Sequence, residues 1–207
     1  MKNKDSNIDT IIFDFGGVLI DWNPRHLYRT LINDEEKLEW FLKNICTDEW
    51  NLEQDRGRSL KAATESLIKK FPAHKDLIEA YYGKWEQMLK GEITETVEIL
   101  HELKKKFKIY GLTNWSAETF PVALERFNFL KLFDGIVVSG DEKLIKPDKE
   151  IFHLLLTRYN LLAENCLFID DNIKNVQAAA ALGFHVIHFT NSENMKEKLI
   201  SIKLIEA

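Results

Sequence analysis

Apolar residues follow two regimes along the chain, and the border between them organises the rest. Ile11, Ile12 and Phe13 form a short unbroken run that ends at Asp14, with Gly16 and Gly17 just beyond. Such a run fits a strand buried on both faces, and the glycines allow a sharp turn and close backbone approach where the strand leaves its sheet. From about Trp22 to Gly91 the spacing turns helical: Leu27 with Leu31; Leu38 with Phe41, Leu42 and Ile45; Leu60 with Ala63, Leu67, Ile68 and Phe71; Leu77 with Tyr81, Trp85, Met88 and Leu89. Pro24 suits a first helical turn, Ser59 an N-cap and Pro72 a stop. The stretch reads as a small all-helical unit inserted after the first strand.

Past Thr94 the pattern alternates. Apolar runs at 108–112, 135–138, 166–169 and 184–188 predict strands, and the segments at about 96–106, 119–127, 148–159, 173–182 and from Ser192 predict helices, with Gly183 as a C-terminal stop. Strands alternating with helices imply right-handed crossovers and a parallel sheet covered on both faces. The predicted fold is α/β, with residues 1–21 and 92–207 forming the core and 22–91 the helical insert.

Composition narrows the field. The chain has 207 residues, 45% of them hydrophobic, enough for one generous core plus a smaller insert. A net charge of −5 gives no reason to expect nucleic acid or an anionic membrane as partner. Cys46 and Cys166 make no disulfide framework and point to a reducing cytoplasm. The polar N-terminal stretch lacks the apolar run of a signal peptide, and no segment is long enough to span a bilayer. Oligomeric state is not readable.

In a parallel sheet, ligands bind beyond the carboxyl ends of the strands. Asp14 follows the first run; Thr113 and Asn114 follow the second; Ser139, Gly140 and Asp141 follow the third, leading to Lys146-Pro147-Asp148 at a helix start; Asp170, Asp171 and Asn172 follow the fourth. Carboxylates gathered at neighbouring strand tips repel one another unless a cation lies between them. Hard oxygens at this density suit Mg²⁺, held directly by Asp14 and Asp171 with the Gly16 carbonyl, and with Asp170 and Asn175 around them. Thr113, Asn114 and neighbouring amides offer donors for phosphate oxygens, and Lys146 near a helix N-terminus favours an anion. A nucleophile, a metal and donors for the equatorial oxygens are what phosphoryl transfer requires, with Asp14 attacking phosphorus to form an aspartyl-phosphate that water hydrolyses.

This set resembles the haloacid dehalogenase-like hydrolase superfamily over the whole alternating core. The strand ending in Asp14 resembles its first motif, Thr113-Asn114 the second, Lys146-Pro147 the third and Asp170-Asp171-Asn172 the fourth. The resemblance implies a three-layer Rossmann-like core with strand order 5-4-1-2-3, a helical cap that opens and closes over the site, and Mg²⁺-dependent phosphatase activity on a small phosphorylated metabolite, a sugar phosphate among them. One departure stands out. The family's phosphatases usually carry a second Asp two positions after the nucleophile as acid and base, and that position here is Gly16. Asp21 is a speculative substitute.

Two other readings compete. A 2-haloacid dehalogenase would use Asp14 on carbon without a metal, which leaves the Asp170-Asp171 pair awkward; a catalytically weak binding protein would not need Asp14, Thr113, Lys146 and the acid pair together. Trp40, Trp50 and Trp85 are expected to pack within the insert, whereas Trp22 and Trp115 are open between packing and lining the crevice. Arg25, Arg56 and Arg58 are open between contacting a substrate anion and serving as surface charges.

Overall fold

The computed structural model describes residues 7–206; most of the polar N-terminal stretch considered as a leader lies outside them. Strand β1 (Thr10–Phe13) is buried at every position, as an uninterrupted apolar run at the centre of a sheet must be. A tight turn follows, in which the amides of Leu19 and Ile20 both donate to the Phe15 carbonyl. It delivers the chain to β2 (Ile20–Trp22).

Five helices come next: α1 (Pro24–Leu31), α2 (Glu35–Asn44), α3 (Asp48–Asp55), α4 (Leu60–Lys70) and α5 (Lys75–Gly83). Asn23, Asp34, Thr47 and Ser59 cap the first four by accepting backbone N–H bonds, which satisfies donors that a helix start otherwise leaves open. Tyr28 is fully buried among them, with its hydroxyl donating to the Leu77 carbonyl at 2.8 Å.

The insert is not all-helical. The last predicted helix, expected to run on to Leu89, stops at Gly83; a 3₁₀ turn (Trp85–Met88) and strand β3 (Leu89–Glu92) follow. β3 pairs antiparallel with β2, so the two passages between insert and core form one ribbon. Its hydrogen bonds fix backbone that helical spacing alone could not hold. Pro72 opens a 3₁₀ turn after α4 has ended at Lys70. Trp40, expected to pack, is 51% exposed on α2.

The core then alternates: α6 (Thr94–Lys104), β4 (Lys108–Thr113), α7 (Phe120–Arg126), β5 (Gly135–Val138), α8 (Ser139–Glu142), α9 (Lys149–Tyr159), β6 (Cys166–Asp170), α10 (Ile173–Ala181), β7 (His185–His188) and α11 (Ser192–Ser201). The sheet order is β5-β4-β1-β6-β7, the expected order seen from the opposite edge, and all its pairings are parallel. One apolar cluster runs from Phe13 and Phe15 through Leu19 and Tyr28 to Trp85 and Leu100, so the insert and one face of the sheet share a continuous interior. A second, built on Ile12, Phe152 and Phe168, fills the other face.

Gly140 on α8 has no room for a side chain. A methyl group there would collide with the Ala117 backbone nitrogen and come within 2.8 Å of the Trp115 carbonyl oxygen. Backbone cannot step aside cheaply, so Gly140→Ala is expected to destabilise the protein by roughly 1–3 kcal/mol. A lower urea midpoint with unchanged slope checks this, and an unmoved midpoint would mean that the 115–117 loop yields freely.

Candidate active site

Because β1 lies between β4 and β6, three strand ends meet at one edge of the sheet. Asp14 stands there, its amide still bonded to the Ile169 carbonyl at 2.9 Å and its Oδ1 accepting from the Phe15 amide at 2.7 Å. Gly17 has φ +76°, and a Cβ on it would lie 2.5 Å from Asp171 Oδ2. Only glycine lets the turn carry that backbone and bring Asp171 so close.

Lys146 is buried beside them. Asn114 clamps its backbone on both sides: the Asn114 side-chain nitrogen donates to the Lys146 carbonyl at 3.0 Å, and the Lys146 amide donates to Asn114 Oδ1 at 2.8 Å. The ammonium then reaches the Leu112 carbonyl at 2.8 Å, Asp170 Oδ2 at 2.7 Å and Asp14 Oδ1 at 3.0 Å. Asp170 is fully buried and also accepts from the Asn172 amide and, through both oxygens, from Asn175. Pro147 stands outside the next helix: Asp148 occupies the N-cap and α9 begins at Lys149.

Asp14, Asp170 and Asp171 each present a carboxylate oxygen within 4.8 Å of the others. Burial pushes the Asp14 carboxyl up to about 7; Lys146 pulls it down, and Asp170 and Asp171 add to the rise. Asp171 is raised too, by burial and then by Asp170. Burial works against the Lys146 charge, but Asp14 and Asp170 outweigh it and its pKa is raised. Three acids thus face one ammonium. That donor set, all hard oxygens with unbalanced negative charge, fits a divalent cation such as Mg²⁺.

The remaining predicted residues lie at the same edge. Thr113 ends β4 and is buried; Gly16 and Asn114 line two cavities. The larger, about 350 Å³, opens over Asp14, Gly17 and Asp171 and is also lined by Arg25 and Asp48. The smaller, about 60 Å³, is walled by Trp22, Trp85 and Trp115 with Asn51 and Asp55. Trp22 and Trp115 therefore do line the crevice, and Trp85, expected to pack, does both. Asp21 lines neither cavity: it lies on β2, 40% exposed, 2.9 Å from His26 Nε2.

None of the three arginines is without a partner. Arg25 makes two 2.6 Å bonds to Glu39, Arg56 pairs with Asp148 across to the core, and Arg58 bonds Gln54 and the Trp50 carbonyl. Asn51 and Asp55 carry no motif that marks them in the sequence. Their one signal is polar residues four apart on a helix whose same face buries Gln54.

A family model described as haloacid dehalogenase-like hydrolase matches residues 8–183. The chain is 30% identical over 183 residues to the sesquiterpene phosphatase astK of Aspergillus oryzae, covering 87% of this chain and 89% of that one. It is 25% identical over 197 residues to a phosphorylated carbohydrates phosphatase of Thermotoga maritima, covering 89% and 88%. Among solved structures it is similar to the HAD family enzyme bt-2542 of Bacteroides thetaiotaomicron in complex with magnesium and inorganic phosphate, at TM-score 0.64 and 21% identity over 87% of this chain and 93% of that one. Matched by the family model over most of its length, this chain belongs to the haloacid dehalogenase-like hydrolase family.

Proposed function

We propose that the chain is a Mg²⁺-dependent phosphatase of a small phosphorylated metabolite, working through an aspartyl-phosphate on Asp14, with residues 22–91 as the cap over the site. The observation that carries this is the meeting of Asp14, Asp170 and Asp171 around a cation-sized space with Lys146 beside them. Relatives that dephosphorylate a sesquiterpene or phosphorylated carbohydrates support the reaction class, and the magnesium and phosphate held by bt-2542 support the cofactor. A sugar phosphate would set its phosphate in the larger cavity over Asp14 and Asp171 and turn its hydroxyls toward the smaller one, lined by Trp22, Trp85, Trp115, Asn51 and Asp55.

In this reading an Asp14 oxygen attacks phosphorus in line while the bond to the leaving oxygen breaks. Water then attacks the aspartyl-phosphate, frees inorganic phosphate and restores Asp14. Lys146 favours the ionised Asp14 and offsets charge on the phosphoryl oxygens; Thr113 and nearby amides donate to them. Asp14, Asp171 and the Gly16 carbonyl would hold Mg²⁺, with Asp170 behind, and the ion would supply charge neutralisation at the phosphoryl group. Dehalogenation on carbon has no use for the acid pair Asp170-Asp171 and is the weaker reading.

Hydrolysis of p-nitrophenyl phosphate is expected to require Mg²⁺, to stop on chelation, and to be abolished by Asp14→Asn. Turnover that persists in Asp14→Asn would sink the reading. A proton competes with the cation at Asp14, whose carboxyl lies at about 7. Mg²⁺ affinity measured by calorimetry should therefore strengthen as pH rises from about 6 to about 8. A flat profile would mean that Asp14 is not a ligand. Lys146→Met removes the cation shared by two buried carboxylates, and about 3–5 kcal/mol of stability should go with it. Chemical unfolding reads this directly, and a loss below about 1 kcal/mol would mean that Lys146 does not hold those two carboxylates in balance.

A further inference from the structure

Among the described residues at the sheet edge, none is placed to protonate a leaving group. Lys146 is held by three oxygens, Asp170 by Lys146, Asn172 and Asn175, Asp171 would be taken up by the metal, and Asp14 is the nucleophile of the proposed reaction. Gly16 has no side chain. The space in front of it is nevertheless open: a Cβ at Gly16 would meet nothing within 4 Å, and its backbone is not in the left-handed region. Gly16 lines both cavities, and the smaller of them is also lined, from α3, by Asp55.

Asp55 is buried, 8% exposed, at the last position of α3. Its backbone carbonyl accepts from Ser139 Oγ at 2.6 Å, and the same hydroxyl accepts from the Trp115 amide at 2.9 Å. Its carboxylate accepts from Asn51 Nδ2 at 3.3 Å and from the Ser116 amide. Asp14, Asp170 and Asp171 are not among its hydrogen-bond partners. The end of α3 is thus fastened to the loop after β4 and to the start of α8, and those contacts hold the carboxylate at the cavity.

We propose that Asp55, presented by the cap into the space left open at Gly16, is the general acid and base of this hydrolase; the inference rests on the phosphatase reading above. As Asp14 forms its bond to phosphorus and the bond to the leaving oxygen breaks, the Asp55 proton passes to that oxygen and the alcohol departs. The Asp55 carboxylate then takes a proton from the water that attacks the aspartyl-phosphate. Inorganic phosphate leaves, Asp14 is restored, and Asp55 is again protonated. Burial lifts the Asp55 carboxyl to about 7, opposed by the Ser116 amide and aided by Asp14, so both of its states are accessible near neutrality.

The test compares an alkyl phosphate, whose leaving group needs a proton, with p-nitrophenyl phosphate, whose leaving group does not, in Mg²⁺. Asp55→Asn should lose about 10²–10⁴-fold on the alkyl phosphate. On p-nitrophenyl phosphate it should give a burst of one nitrophenolate per enzyme, then slow turnover, with the phosphoenzyme visible by intact mass. Adding Gly16→Asp to that variant should restore alkyl phosphate turnover, because it returns an acid to the cavity; the phosphoenzyme burst, which a merely structural role for Asp55 would not produce, separates the two roles. An equal fall on both substrates, with no phosphoenzyme and no rescue, overturns the proposal.

Should Asp55→Asn fail to fold, the wild type decides: its turnover should differ by less than about tenfold between p-nitrophenyl phosphate and the alkyl phosphate, because an acid supplies the proton; a fall of about 10²-fold or more on the alkyl phosphate means that none is in place. Absence of Asp14-dependent turnover on p-nitrophenyl phosphate would instead remove the phosphatase reading, and the role of Asp55 with it.

Discussion

The ammonium of Lys146 is the charge on which the sheet edge depends. It is almost completely buried, yet it has an oxygen for each of its three protons: the Leu112 carbonyl, Asp170 and Asp14. A buried ion is tolerated only when geometry compensates for its lost hydration, and leaving one partner without the other costs several kcal/mol. The compensation here reaches across three strands. Leu112 belongs to β4, Asp14 follows β1, and Asp170 closes β6. Asn114 holds the lysine backbone from the β4 side, and Asn175 on α10 holds Asp170 from behind. Movement of any one element would unpair a charge in the interior, so the strand register and the position of Asp14 are fixed by the same bonds.

The cluster is deliberately unbalanced. One ammonium cannot neutralise Asp14, Asp170 and Asp171, and burial leaves Asp14 with a carboxyl near 7 instead of in the ordinary range. Asp170 is saturated with donors, whereas Asp171 is exposed toward the larger cavity with Asp14. The excess charge therefore faces the open side, where a cation and a phosphoryl group can arrive together. Without such a cation, ionising Asp14 works against folding, because the native state holds a proton that the unfolded chain would release between its ordinary pKa and about 7.

Much of this is legible in the sequence because it is local. An apolar run that stops at a polar residue places that residue at a strand tip, and the parallel sheet brings the tips together; Asp14, Thr113 and Asp170-Asp171 declare themselves this way, and Lys146 by the helix start it precedes. What is not legible depends on contacts distant in sequence. The β2–β3 ribbon joins residues 20–22 to 89–92, and neither strand is an apolar run that would declare it. The end of α3 looks like an ordinary helix end near Arg56-Gly57, because its meaning comes from Ser139 and Trp115, more than fifty residues later. Asp21 attracts attention by standing near the nucleophile in sequence, but its side chain pairs with His26 on α1.

If Asp14 is the nucleophile and Asp55 the acid, as proposed, the chemistry is divided between core and insert, and the two groups meet only while the insert is seated. Ser139 bonds the Asp55 carbonyl, Arg56 pairs with Asp148, the Leu60 amide bonds Glu118, and Arg126 reaches the Glu86 and Lys90 carbonyls, beside the apolar interior that insert and core share. The exposed pairs are individually weak, so the shared interior and the buried Ser139 bond do most to hold the insert down. That buried bond is made by the backbone of Asp55 itself. In the proposed mechanism, seating the insert therefore sets the Asp55 carboxylate at the narrow cavity, and proton transfer belongs to the seated state. An acid at Gly16 would be present whether the cap were open or shut. On the proposed mechanism, an empty position 16 ties turnover to what the insert encloses, and selectivity would then rest on Trp22, Trp85, Trp115 and Asn51, the residues that share the cavity with Asp55.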